Sequence, residues 1–343
     1  MKEKNQKMDF LFSLWLTLIF ILISLIIIVG GITRLTDSGL SITTWELFTG
    51  IVPPFSIDEW NKYFNLYKSI PEYQLENSTM TIEGFKTIFW WEYTHRLLGR
   101  IIGIFYIIPL IYFSFKIKFK KLFFLYLIFL LICFQGFIGW YMVSSGLTER
   151  TDVSQYRLAL HLGIAFLILI FILWNLLNTK NIKIDYNKIP IFLPSILLSL
   201  IFIQIIIGAF VSGMDGGKIY NSWPSMNGSF FPNDSSLNNF FSLNVFDSPS
   251  LMQFIHRNLA YLIMIIFSII FYIVFSNQKY YLYKNNLLQI MFFLILQIFL
   301  GVLTILSGAK IAVAILHQIG SIFLISSTLI LVYKNVKKTN LQP

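Results

Sequence analysis

The sequence predicts an all-α integral membrane fold: eight transmembrane helices in two tandem-repeated four-helix bundles. Three observations predict it. Of 343 residues, 56% are hydrophobic and 12% charged, with a mean hydropathy of +0.71, leaving too few polar residues to cover a soluble globule of this size. Eight apolar runs approach the about 20 residues that cross a bilayer as a helix. The last four runs repeat the pattern of the first four.

The runs occupy residues 10–30, 93–114, 122–143, 158–177, 190–211, 254–275, 287–306 and 312–333. They are continuous Ile, Leu and Phe blocks, without the period-two alternation over about 10 residues that marks barrel strands. The net charge of +10 raises the question of nucleic acid, and its placement answers it. Lys2, Lys4 and Lys7 precede the first run; Lys116, Lys118, Lys120 and Lys121 follow the second; Lys180, Lys183 and Lys188 follow the fourth; Lys279 and Lys284 follow the sixth; Lys334, Lys337 and Lys338 follow the eighth. All fall on one side, cytoplasmic by the positive-inside rule. Both termini are therefore expected inside and the connections 31–92, 144–157 and 212–253 outside. The first run is long enough to span and no small-residue cleavage site follows it. With no Arg- and Ser-rich transit peptide, the expected location is a bacterial cytoplasmic (inner) membrane. Cys133, the only cysteine, lies mid-span, which excludes an intrachain disulfide and any cysteine-based metal or iron–sulfur site.

The repeat is read from aligned motifs. "VGGITRLTDSG" (Val29–Gly39) resembles "IGAFVSGMDGG" (Ile207–Gly217), with Gly30 over Gly208 and Asp37 over Asp215. "EYTHRLLGRII" matches "QFIHRNLAYLI", aligning His95 and Arg96 with His256 and Arg257; Gln135, Gly139, Ser145 and Gly146 align with Gln297, Gly301, Ser307 and Gly308; His161 falls over His317. Four spans being an even number, both copies enter the membrane in the same orientation. The expected halves are 1–185, with the long outer loop 31–92, and 186–343. Within that loop Ile57, Trp60, Phe64 and Tyr67 recur at three- and four-residue steps, the pattern of a helix lying flat at the membrane interface. The connection 212–253, rich in Asn, Ser, Pro and Gly, reads either as a cap on the second half or as an ordinary solvated loop.

All four histidines in the chain, His95, His161, His256 and His317, occupy repeat positions. Each is expected in the first turn or two of an even-numbered span at its outer end, so the two of each half face one another at equal depth. That is the geometry of a bis-histidine haem held between bundle helices. Zinc and copper also accept imidazole, but two histidines and one nearby carboxylate leave a bare ion short of ligands, whereas a porphyrin supplies four. Arg96, Arg100 and Arg257 stand at the outer rim, available to haem propionates or as headgroup anchors. Glu92, three residues before His95 and hence on its helix face, has Gln253 as its counterpart. It reads either as an acid acting at a haem edge, as base or cation stabiliser, or as the partner of Arg96. Gln135, Gln204 and Gln297 suit interhelical hydrogen bonds; Trp90, Trp91 and Tyr93 suit an interfacial belt.

With these residues in place the chain resembles the haem A synthase family, in its subgroup without loop cysteines. The resemblance covers nearly the whole chain and rests on "GGITRLTDSGLSITTWELFTGIVPP" (Gly30–Pro54), "FKTIFWWEYTHRLLGR" (Phe85–Arg100), "GAFVSGMDGGKIYNSWPSMNG" (Gly208–Gly228), "QFIHRNLAY" (Gln253–Tyr261) and "LHQ" (Leu316–Gln318). It implies oxidation of the C8 methyl of haem O to a formyl group, through a hydroxymethyl intermediate, to give haem A for terminal oxidases. It also implies that His95 and His161 hold the substrate haem, that His256 and His317 ligate a permanent haem b, and that Glu92 is catalytic. The cysteine pair that another subgroup carries in its first outer loop has no counterpart here. Pathway logic adds the farnesyltransferase that makes haem O, and terminal oxidase subunits, as partners. The alternatives are a dihaem b electron-transfer protein and a haem-binding oxidase assembly factor; a transporter would place its ionisable residues at mid-membrane.

Overall fold

The computed structural model describes residues 2–46, 49–147, 151–180, 182–183 and 187–337, with side chains from Gln6 onward at the N-terminus. Lys338 and the boundary expected at 185/186 lie outside the described residues, as do the side chains of Lys2 and Lys4. The helices are α1 (Lys2–Leu35), α2 (Ile57–Lys68), α3 (Pro71–Leu75), α4 (Ile82–Ser114), α5 (Phe119–Gly146), α6 (Gln155–Asn178), α7 (Phe192–Gly213), α8 (Leu237–Phe240), α9 (Pro249–Phe275), α10 (Tyr281–Leu306) and α11 (Ile311–Val336). Eight of them, all but α2, α3 and α8, are long and apolar enough to cross a membrane. Among the described residues there is no strand, only an isolated bridge between Met226 and Ser229.

Each apolar run coincides with one helix, the run 190–211 starting two residues before α7, and α4 departs most from its run, starting at Ile82 rather than at 93. The Thr81 side chain caps it by accepting from the Gly84 amide. The added turns are held by protein: Phe85, Ile88 and Phe89 are buried, against α2. At the start of α2, Ser56 and Glu59 form a reciprocal capping box, which satisfies two otherwise orphaned amides. Trp60 meets Phe89 at 4.9 Å between ring centroids, and Phe64 meets Phe85 at 5.1 Å. The expectation of an interfacial helix is thereby corrected. The apolar face of α2 is spent on α4 (Trp60, Phe64 and Tyr67 are buried), while Ile57, counted on that face, is 68% exposed. The turn expected for His95 is corrected by the same overrun: it lies in the fourth turn of α4, whereas His161, His256 and His317 lie in the second turn of their helices.

The described residues of Thr17–Leu169 form one compact unit and those of Met1–Leu16 with Ile170–Pro343 form another. In the first, α4 packs on α2 and α5. In the second, α7 packs on α9 and α11, and α10 on α9 and α11, a closed four-helix bundle. At one end of that bundle the Asn335 amide pairs with the Ile189 backbone, accepting at 2.8 Å and donating at 2.9 Å. Beside it Lys188 donates to the carbonyls of Lys334 and Lys337, a cation on the negative C-terminal end of α11. At the other end the connection 212–253 folds as a cap, burying Tyr220, Met226 and Val245.

Candidate functional site

The histidines meet in two pairs. His95 of α4 and His161 of α6 stand 6.3 Å apart between ring centroids, with ring planes at 62°. His256 of α9 and His317 of α11 repeat this at 6.3 Å and 75°. A metal-bound imidazole nitrogen sits about 2.0–2.1 Å from its ion, placing the ring centroid about 3.1–3.2 Å away, so two trans imidazoles on one ion stand about 6.3 Å apart. Each pair has that spacing. In all four rings Nδ1 is buried without a hydrogen-bond partner. The carbonyls of Ile26, Gln204 and Gln297 lie against the rings of His95, His256 and His317; a carbonyl there fixes tautomer and ring orientation once the other nitrogen is bound. Among the described residues no three His, Cys, Asp or Glu converge on one point. The donor set is therefore two imidazoles per site, which suits an ion whose equatorial ligands come with it, as in haem.

Each ring rests on a glycine of a neighbouring helix. A β-carbon at Gly30 would stand 2.9 Å from Cε1 of His95, and at Gly139, Gly208 and Gly301 it would stand 3.1 Å from Cε1 of His161, His256 and His317. These four glycines make the close approach of the rings possible; sequence reasoning aligned them as Gly30 with Gly208 and Gly139 with Gly301, without assigning them work. Their signal was the constant pairing of one glycine with one histidine. The glutamines do bridge helices: Gln135 donates to the His161 carbonyl at 2.9 Å, Gln204 to His256 at 2.9 Å and Gln297 to His317 at 3.0 Å.

Glu92 is buried and fully engaged. Its Oε2 accepts from Ser41 Oγ at 2.7 Å and the Ile42 amide at 2.8 Å, and its Oε1 from Arg96 at 2.6 Å. Arg96 also donates to the carbonyls of Ile42 and Thr44, and Arg100 to that of Glu46. The result is a brace holding the chain after α1 onto α4. In the other unit Arg257 donates to the carbonyls of Tyr220 and Ser222 and to Gln253 Oε1, and Gln253 donates to Tyr220. The brace is common to both units, with a carboxylate in one and an amide in the other. Nε of Arg257 remains buried without a partner. Arg96 and Arg100 line a small cavity with Thr44, Glu46, Tyr63 and Tyr93. Tyr93 is buried and donates to the Ile51 carbonyl at 2.6 Å, which removes it from the expected lipid-facing belt; Trp90 is 43% exposed.

Among the described residues outside the spanning helices, one carboxyl is strongly perturbed. Glu72 of α3 is buried and accepts from Tyr67 at 2.9 Å; burial pushes its pKa up to about 8. Tyr63 is shifted upward by burial and by Glu46.

Comparison with known proteins decides the family. A family model described as Cytochrome oxidase assembly protein matches residues 13–329. The chain belongs to this family. Its relatives include the protein named Heme A synthase of Pelagibacter ubique (strain HTCC1062), 52% identical over 329 residues, covering 94% of this chain and 96% of the relative. Heme A synthase of Rickettsia bellii (strain RML369-C) is 43% identical over 323 residues, 91% of this chain and 94% of the relative, and that of Bartonella tribocorum is 39% identical over 323 residues, 92% of this chain and 89% of the relative. Membership of the cytochrome oxidase assembly family thus extends over both histidine pairs and both braces.

Proposed function

We propose that this chain is a haem A synthase, oxidising the C8 methyl of haem O to a formyl group by two successive two-electron oxidations through a hydroxymethyl intermediate. The observation that carries this reading is the pair of imidazole couples at bis-ligand spacing, with a carboxylate, Glu92, in the brace one turn before His95 where the other unit has Gln253. Similarity over more than nine-tenths of this chain to proteins named Heme A synthase supports it. His95 and His161 hold the substrate haem, and Glu92 acts there, stabilising positive charge that develops at the methyl carbon or orienting the oxygen nucleophile. His256 and His317 fit a haem b, which when bound supplies one-electron redox chemistry. Arg96, Arg100 and Arg257 contribute positive charge toward propionates; Arg257 has its Nε to offer, while Arg96 does so from within the brace.

The halves 1–185 and 186–343 are read as tandem copies, one carrying the substrate and one the haem b. Support comes from the aligned Gly–His and Gln–His contacts and from the matching braces. The lysine distribution supports a bacterial inner membrane with both termini cytoplasmic and the haem sites toward the outer side. Haem O synthase and terminal oxidase subunits are the partners that share its substrate and product.

The test is to purify the protein in detergent, extract its haem into acidified solvent and identify it by chromatography and mass spectrometry. Haem b together with haem O, its hydroxymethyl form or haem A is expected. Haem b alone after haem O is supplied overturns the substrate site, and a protein that takes up no haem overturns the ligand assignment.

A further inference from the structure

The four histidine seats share their glycine and differ in one other position. At three of them the residue four places before the glycine, one turn away on the same helix face, is a glutamine. Gln135, Gln204 and Gln297 each donate Nε2 to the carbonyl of the histidine that the following glycine seats, at 2.9, 2.9 and 3.0 Å. Ring and main chain of the ligand residue are thereby held by one turn of one neighbouring helix. Room is kept for this clamp: a β-carbon at Gly320 would stand 1.9 Å from Nε2 of Gln297.

At the fourth seat the corresponding residue is Ile26, which has no donor. Its Cδ1 packs 3.7 Å from where a β-carbon of Gly99 would lie, and among the described residues no glutamine clamps the His95 carbonyl. The side-chain hydrogen bond from α1 to this part of α4 runs from Thr33 Oγ1 to the Trp91 carbonyl at a long 3.4 Å, while the same hydroxyl donates within its own helix to Val29 at 2.9 Å. The loop brace does not account for the difference, because Glu92 with Arg96 and Gln253 with Arg257 provide it in both units. One ligand of four is seated without its clamp.

We propose that His95 is the exchangeable ligand: seated on Gly30 but unclamped, it yields when haem O enters and haem A leaves, while His161 and the pair His256 and His317 are fixed by their glutamines. This rests on the reading of the first pair as the substrate site. It adds which ligand moves and why one haem turns over while the other stays. A site that must release its product on every cycle needs a coordinate that opens, and an omitted interhelical hydrogen bond supplies it without altering the ligand set. Gln135, Gln204 and Gln297 are thus positioning residues acting through the histidine backbone.

The test uses the full-length protein loaded with haem O and haem b in nanodiscs, with excess apomyoglobin as haem acceptor. Loss of each haem is followed by absorption and by extraction. Ile26→Gln supplies the fourth clamp and is expected to slow loss of haem O by roughly 3- to 20-fold, the range measured for interhelical hydrogen bonds in membranes, while the bis-imidazole spectrum is unchanged. Gln204→Leu and Gln297→Leu are expected to speed loss of haem b by a similar factor, again without spectral change. An unchanged haem O rate in Ile26→Gln overturns the proposal; if that variant does not assemble, an unchanged haem b rate in both glutamine variants overturns it instead. Failure to find any haem O in the loaded wild type overturns the substrate-site reading together with this proposal, whereas an unchanged rate overturns this proposal alone.

Discussion

His95 lies with its Cε1 2.9 Å from the point that a β-carbon on Gly30 would occupy, closer than side-chain carbons approach one another, so the glycine is part of the histidine's seat. Gly30→Ala forces the imidazole off its axis or the two helices apart. Overpacking of this kind costs about 1–3 kcal/mol, so haem O affinity is expected to fall roughly 5- to 150-fold while haem b is retained. Gly208→Ala is expected to show the converse, through His256. Gly103→Ala serves as control, since a β-carbon there meets nothing within 4 Å. Difference-spectrum titration with each haem reads all three variants, and equal affinity in Gly30→Ala and Gly103→Ala would remove the glycine from the site.

Glu92 has one role in the structure and a second in the proposed function, and substitution separates them. As a brace it accepts from Ser41, Ile42 and Arg96; the other unit builds the same brace with Gln253, so Glu92→Gln is expected to assemble and to bind haem O. As the acid of the reacting site it has no amide substitute, and conversion of haem O to haem A is expected to fall about 100-fold or more. Glu92→Ala leaves the part-buried Arg96 guanidinium without its carboxylate, a loss of up to about 3–5 kcal/mol, and is expected to unfold at a lower temperature. Haem A formation at the wild-type rate in Glu92→Gln would reduce the residue to its brace.

The features legible in the sequence were those set by solvent and by repetition. Lipid demands long apolar runs, so eight spans were visible in composition, and the alignment of His95 with His256 and of His161 with His317 exposed the histidine pairs. The overrun of α4 was hidden because residues 82–92, "IEGFKTIFWWE", mix polar and aromatic side chains to fit α2 rather than lipid. An amphipathic pattern such as that of α2 says that one face is buried, and not whether lipid or protein buries it. The glutamines were read as interhelical bonds, but their acceptors, the carbonyls of the paired histidines, have no sequence signature. Nor does the double engagement of Glu92, whose second partner lies in a loop some fifty residues away.

The docking of α2 on α4 makes a prediction that an interfacial helix does not. Trp60 is buried against Phe85 and Phe89, and Trp60→Ala is expected to cost about 3–5 kcal/mol, releasing α2 to proteolysis in detergent and in lipid alike. Ile57→Ala, at an exposed position, is expected to change nothing in either. Destabilisation by Ile57→Ala that appears only in lipid bilayers would restore the interfacial reading.

Glu72 ties to pH the cap that α2 and α3 form on the start of α4. Its carboxyl is buried, accepts from Tyr67 at 2.9 Å and faces the negative charge of Glu92, Asp152 and Asp37; burial first, then those carboxylates, raise its pKa from 4.5 to about 8. The folded cap therefore binds this proton more tightly than the unfolded chain does. Its stability is fully present below about 4.5, falls as pH rises from there to about 8, and is level above. Each tenfold gain in proton affinity is worth about 1.4 kcal/mol, so the whole span amounts to several kcal/mol. Glu72→Gln keeps a neutral partner for Tyr67 and removes the titration. Amide hydrogen exchange in α2 and α3 should therefore match between wild type and Glu72→Gln at pH 5, and at pH 8.5 the variant should be the better protected. A variant that exchanges as fast as the wild type at pH 8.5 would show that the buried carboxyl does not govern the cap.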